Sequence, residues 1–271
     1  MDRGIYVENN DLNLELNSGI TIKGALFIMF MVLAYGFLVS IPINIIFYIA
    51  KIVKPNVVYL ENYKNILSSV LGYVLFVTKY NKDNNHKLLL NNTLKLKGYM
   101  FILLILFGYM LFYDNTLGIL VSKFINDTWV SKIFEEMLHT PIAALISMVL
   151  VAPIFEEIIF RGIILDGLLK KYRAINAIVI SGLMFGVFHF NLTQGINAFF
   201  IGIILGIIYF STNSLIPCMF MHFANNFFCW ITAYCPFIYS EKFSLTKLFI
   251  GIFISSLCMF IFLRNRKVIY D

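Results

Sequence analysis

Apolar residues along this chain do not alternate with polar ones. They run in long blocks, and charged residues collect in the short stretches between the blocks. Blocks near twenty residues read as membrane helices. The pattern predicts helices over 24–50, 65–78 (reaching back toward Val57), 98–113, 141–165, 174–190, 196–210, 215–235 and 243–263. Pro42 and Pro153 fall inside two of them and predict bends, because proline removes a backbone donor. Residues 1–23 are a polar N-terminal segment, and 79–97 form a lysine-rich loop carrying His86. Residues 122–140 set Trp129, Ile133, Phe134, Met137 and Leu138 among charges, the pattern of an interfacial segment. The fold expected is all-α: a polytopic membrane helix bundle of about eight transmembrane helices. It forms one integral domain, with 24–140 preceding a core at 141–235 and with 236–271 holding the last helix and a basic tail.

Composition agrees with that reading. Of 271 residues 60% are hydrophobic and only 13% charged, about half the usual share for a soluble domain. The net charge of +6 does not point to nucleic acid, since the basic residues sit between apolar blocks. With eight spans, 13 lysines and arginines fall on one side and seven on the other. Both termini are therefore expected in the cytoplasm. The wealth of Ile, Asn, Lys and Phe suits a bacterial cell membrane. The N-terminal segment carries Asp2, Glu8, Asp11 and Glu15 and lacks the basic start of a signal peptide. The four cysteines form no CxxC and read as small apolar residues.

The fourth block breaks the pattern. It holds Glu156, Glu157 and Arg161 within apolar surroundings. Charges at membrane depth cost roughly 2.5–3.5 kcal/mol each on insertion scales and mark functional sites. Glu157 and Arg161 are four residues apart with the acid first, the favourable order for an ion pair. Glu156 is turned about 100° away and is left free for other work. The stretch Glu135-Glu136-Met137-Leu138-His139 is a decoy, because its Glu-x-x-His pair, Glu136 and His139, needs a second copy to make a metal site. Gly182/Gly186 and Gly202/Gly206 are GxxxG pairs that predict close helix packing.

Two more blocks carry polar groups. Phe185 and His189 share one helix face, as do His222 and Asn226. Glu156 can act as general base for a water. His189 and His222 can position that water, or bind Zn²⁺ together with Glu156. Asn226 can donate to a developing oxyanion. No HExxH and no GxSxG is present.

Together, E-E-x-x-x-R at 156–161, F-x-x-x-H at 185–189 and H-x-x-x-N at 222–226 resemble the CPBP family, also called Abi or CaaX protease family. Its best-known members are the type II CaaX prenyl endopeptidases. The resemblance covers about 141–235 and implies an eight-helix intramembrane endopeptidase open to the cytosol. It implies that Glu156 activates water, His189 and His222 hold it, Asn226 serves the oxyanion and Arg161 is structural. It implies a peptide or membrane-associated protein substrate within membrane lipid. For a bacterial host it points to bacteriocin or peptide maturation, or self-immunity, rather than to prenylated proteins. Zinc and metal-free water activation both stay open. A non-catalytic membrane regulator on the same fold is the alternative. A transporter is a third reading, but no inverted repeat supports it. One expectation sits awkwardly: Glu156 and His222 fall toward the cytoplasmic half, whereas His189 lies about 22 Å along its helix, nearer the outer half.

Overall fold

The computed structural model describes residues 19–90, 94–125, 132, 135, 136, 138–235 and 243–264. The expected N-terminal segment, the interfacial residues Trp129, Ile133, Phe134 and Met137, and the basic tail beyond Arg264 lie outside the described residues or mostly so. Among the described residues there are nine helices. They are α1 (Ile22–Val53), α2 (Glu61–Asn84), α3 (Leu96–Asp114), α4 (Leu117–Phe124), α5 (Pro141–Leu169), α6 (Ala174–Phe188), α7 (Leu192–Thr212), α8 (Leu215–Tyr234) and α9 (Leu245–Arg264).

Five of these, α1, α3, α5, α7 and α9, are long and apolar enough to cross a membrane. By length and composition the chain is a multi-pass integral membrane protein. The expected count of eight is not reached on that measure, for local reasons. Helix α2 carries Glu61, Lys64, Lys79, Lys82 and Asp83 and runs on into the predicted loop as far as Asn84. Helix α6 has only 15 residues. The apolar run of helix α8 is broken by His222, Asn225 and Asn226.

Small residues set the helix pairs. Helices α6 and α7 cross where Gly182 faces Gly202. A Cβ on Gly202 would stand 3.1 Å from the Gly182 Cα and 3.2 Å from the Phe185 ring. The two GxxxG motifs therefore pack against each other, which only glycine allows at this separation. Helices α1 and α2 meet at Gly36 and Gly72, and α3 and α9 at Gly108 and Gly251. At the centre, Ile159, Phe160, Ile163, Ile164 and Leu165 of α5 are buried. They pack with Leu205 and Ile208 of α7 and Leu215, Cys218 and Met221 of α8.

Helix α5 is not regular. It is π-helical over Leu145–Val151 and again over Ile158–Leu165, with an α-helical run, Ala152–Glu157, between. The Ala152 N–H reaches back five residues to the Ser147 carbonyl. The widened turn ends just before Pro153, which has no N–H to give. The bend expected at Pro153 thus takes the form of a change of helical register. Such registers recur at functional sites, and the two acids sit between them.

Candidate active site

Three helices converge on Glu157. Arg161 Nη1 donates to its Oε1 at 2.9 Å, and both side chains are fully buried. Arg161 Nη2 donates to the Gly202 carbonyl at 3.1 Å, which ties α5 to α7. From α8, His222 Nδ1 lies 2.8 Å from the same Glu157 Oε1. An ionised carboxylate only accepts, so Nδ1 carries the proton and Nε2 is left as an acceptor. That second nitrogen stands 3.8 Å from Glu156 Oε2. Arg161, Glu157, His222 and Glu156 therefore form a row, from buried guanidinium to a carboxylate at a cavity wall. Glu157 Oε2 and Arg161 Nε find no hydrogen-bond partner among the described residues.

Phe185 braces this row. The Arg161 guanidinium lies 4.6 Å over its ring, and the His222 ring meets it edge-on at 5.6 Å. His189 also meets Phe185 edge-on, at 5.0 Å, and its Nδ1 lies 2.9 Å from the Phe185 carbonyl. A carbonyl only accepts, so here too Nδ1 donates and Nε2 is free to accept. The turn after His189 is held tightly. Asn191 Nδ2 donates to the His189 carbonyl at 2.8 Å, and Asn191 Oδ1 caps α7 at the Gln194 N–H. Between them Phe190 takes a left-handed φ of 54°, a conformation rarely taken by large side chains.

The depth mismatch disappears. Helix α5 continues to Leu169, so Glu156 lies thirteen residues, roughly 20 Å, from its end. Ser181 Oγ donates to the Phe160 carbonyl, which sets Phe185 level with Glu156. His189, one turn further along, leans back toward Phe185, as side chains on a helix point toward its N-terminus. Helix α8 starts within the fold, because Thr212, Ser214 and Leu215 are buried on either side of the exposed Asn213 and Leu215 packs on Gly162. That depth brings His222 to Glu156.

A cavity of about 550 Å³ runs from this row to one end of the bundle. Glu156, His189, His222, Asn226, Phe185 and Asn225 all line it. Asn226 Nδ2 donates to the Met148 carbonyl at 2.8 Å, and Asn225 Nδ2 donates to Asn226 Oδ1 at 3.0 Å. Asn226 thus ties α8 to the π-helical run of α5. An amide nitrogen has two protons, so each asparagine keeps a second N–H.

The sequence reading omitted several polar groups. Asn225 is one, and Asn197, which accepts from the Tyr109 hydroxyl inside the cavity wall, is another. An asparagine within an apolar block was the available signal. The decoy stretch 135–139 contributes Glu136 to a second cavity rather than to this one.

The metal reading can be tested on the donors. Both histidines hold Nδ1 to an acceptor and leave Nε2 to the cavity, as ligating histidines do. Among the described residues, however, no three His, Cys, Asp or Glu side chains are placed together to hold a metal ion. Glu156, His189 and His222 share the cavity, where Glu156 Oε2 approaches His222 Nε2 at 3.8 Å and no ion pair joins His189 to Glu156 among the described residues. The residues as placed do not fit a zinc site.

The family model for Type II CAAX prenyl endopeptidase Rce1-like proteins matches residues 138–228. Residues 138–228 are a domain of this family. The match takes in α5, α6, α7 and most of α8, and so every residue of the row. Membership in the Rce1-like family implies an intramembrane protease acting on a peptide or protein. No curated protein and no solved structure matches the chain.

Proposed function

We propose that this protein is an intramembrane endopeptidase in which Glu156 activates a water for attack on a peptide carbonyl. The observation that carries the reading is the 3.8 Å approach of Glu156 Oε2 and His222 Nε2 at the cavity wall, with the other ring nitrogen held by Glu157. That spacing is too long for a direct hydrogen bond and suits a bridging water. Glu156 takes one proton of the water as the new C–O bond forms. His222 Nε2 accepts from the other and fixes the lone pair toward the substrate. The proton held by Glu156 then passes to the leaving amine, and the C–N bond breaks.

Asn226 and Asn225 supply N–H donors for the tetrahedral oxyanion. Phe185 and Arg161 hold the histidines and Glu157 in place. His189 presents a second acceptor to the water or to a substrate N–H. Family resemblance and membrane depth favour a membrane-associated or short peptide substrate, with bacteriocin maturation or self-immunity in a bacterial cell membrane as its setting. The fold reading that goes with this is eight crossings, with α2, α6 and α8 completed by their neighbours.

The test is cleavage of a quenched peptide library by purified protein in liposomes. Wild type cleaves and Glu156→Ala does not, at equal folding. Activity persists with a zinc chelator, because a water held by Glu156 and His222 needs no metal. Chelator-sensitive cleavage restored by Zn²⁺ would replace this mechanism with one in which His189, His222 and Glu156 hold zinc.

A further inference from the structure

Helices α1 and α2 run antiparallel, touch at one crossing and then part. At the crossing, a Cβ on Gly72 would stand 2.9 Å from the Gly36 Cα. From there toward the start of α1 and the end of α2 the two helices are held apart, each pinned separately to the end of α5. On the α1 side, the Ile20 N–H donates to the Gly167 carbonyl at 3.0 Å, and the Ile22 N–H to the Tyr172 hydroxyl at 3.4 Å. On the α2 side, the chain leaving Asn84 docks Leu88 on Gly162, and the Leu89 carbonyl accepts from the Leu215 N–H at 2.9 Å. The gap between the helices is therefore built into the fold.

This gap is a cavity of about 330 Å³, within the range of small-molecule sites, roughly 300–1,000 Å³. Ile28 and Phe76 form its buried floor, Met31 lines its wall, and Phe27 stands exposed at its rim. Tyr35 meets Phe76 edge-on at 5.9 Å and stops the deep end just short of the glycine crossing. From Tyr35 to Gly24 the groove follows α1 for roughly 16 Å. That is about the depth of one leaflet, half of a ~30 Å hydrocarbon core. The charged groups that line it, Lys79 and Asp83, sit together at the end away from the crossing. Lys79 Nζ and Asp83 Oδ2 are 2.7 Å apart, and both side chains are at least half exposed.

An apolar trough of leaflet depth that ends in one ion pair has the shape and polarity of an amphiphile. The ion pair selects the headgroup. Lys79 keeps two ammonium protons after its bond to Asp83, and Asp83 keeps its other oxygen. Together they carry no net charge. A headgroup with both a phosphate and an ammonium satisfies both: the phosphate accepts from Lys79, and the ammonium donates to Asp83. A purely anionic headgroup would satisfy Lys79 and set its own charge against Asp83. We propose that the groove between α1 and α2 binds one phospholipid, with an acyl chain laid between the helices and a zwitterionic phosphate–ammonium headgroup on Lys79 and Asp83. The site lies outside residues 138–228 and does not rest on the protease reading.

Native mass spectrometry of the purified protein reads this site. The protein is equilibrated in detergent with equimolar phosphatidylethanolamine and phosphatidylglycerol bearing the same acyl chains, and the retained lipid is identified. Wild type should keep one lipid and favour phosphatidylethanolamine by about fivefold, the upper end for one exposed ion pair. Asp83→Lys should reverse that preference. Glu61→Lys makes the same change of charge at the other end of α2 and should leave the preference as in wild type. Met31→Trp fills the trough and should lose the retained lipid. Asp83→Lys, at the exposed rim, still reads the site where the tryptophan disturbs the helix pair. Wild type without retained lipid overturns the proposal, as does a lipid ratio that Asp83→Lys leaves unmoved. A ratio shifted equally by Asp83→Lys and Glu61→Lys also overturns it, since that is attraction to overall charge. So does a folded Met31→Trp that keeps its lipid, and a lipid-free dimer would assign the groove to a second copy of the chain instead.

Discussion

Glu157 and His222 are 65 residues apart in the chain and 2.8 Å apart in the fold. Through that contact a buried carboxylate on α5 decides which nitrogen of an α8 imidazole faces Glu156. Glu157 is therefore more than the partner of Arg161. In the proposed mechanism it is a positioning residue, which the i, i+4 spacing alone does not reveal.

Replacing Glu157 by glutamine keeps the shape but puts a neutral amide oxygen where a charged carboxylate oxygen accepts from both Arg161 and His222. The hold on the His222 Nδ1 proton weakens, and the tautomer with its proton on Nε2, toward Glu156, gains population. We expect kcat to fall by roughly 10²-fold or more, within the range for lost acid–base catalysis, with little change in KM. The check is steady-state kinetics together with the ring ¹⁵N shifts of His222, which report the tautomer. An unchanged tautomer with unchanged kcat would remove Glu157 from the positioning role.

Arg161 carries a different burden. It is fully buried, paired with Glu157, bonded to Gly202 and stacked on Phe185. Removing one member of a buried pair leaves the other charge uncompensated and costs roughly 3–5 kcal/mol. Arg161→Ala should lower the thermal midpoint in detergent sharply and abolish activity through folding. Arg161→Ala with Glu157→Gln should recover part of the lost stability without recovering cleavage. A single variant as stable as wild type would contradict this account of the pair.

At the α6–α7 crossing, Gly202→Ala places a methyl 3.1 Å from the Gly182 Cα and 3.4 Å from Arg161 Nη2. Overpacking of this kind costs about 1–3 kcal/mol. It also pushes the helix whose Gly202 carbonyl holds Arg161. Thermal unfolding should show the loss, and activity measured below the midpoint should fall with it. Gly36→Ala is the control, because nothing lies within 4 Å of its added methyl.

Much of the site was legible from local spacing. Glu157 and Arg161, Phe185 and His189, and His222 and Asn226 each lie within one helical turn, so periodicity alone placed them on shared faces. The two GxxxG motifs announced the α6–α7 crossing for the same reason. What spacing could not give was depth. The predicted end of the fourth block at Leu165 and the surface start assumed for the seventh block separated His189 from Glu156. In the fold, α5 runs on to Leu169 through residues that read as a loop, and α8 begins with Ser214 and Leu215 already buried. Hydropathy records which residues are apolar, not where a helix starts within the bundle. The link from Glu157 to His222 and the role of Asn225 are tertiary facts of the same kind.

The most direct test of water activation by Glu156 is hydrolysis in H₂¹⁸O followed by mass spectrometry of the products. The account predicts one ¹⁸O in the new C-terminal carboxylate formed by wild type, and no product from folded Glu156→Ala. Product formed at the wild-type rate by Glu156→Ala, or product without ¹⁸O, would contradict it.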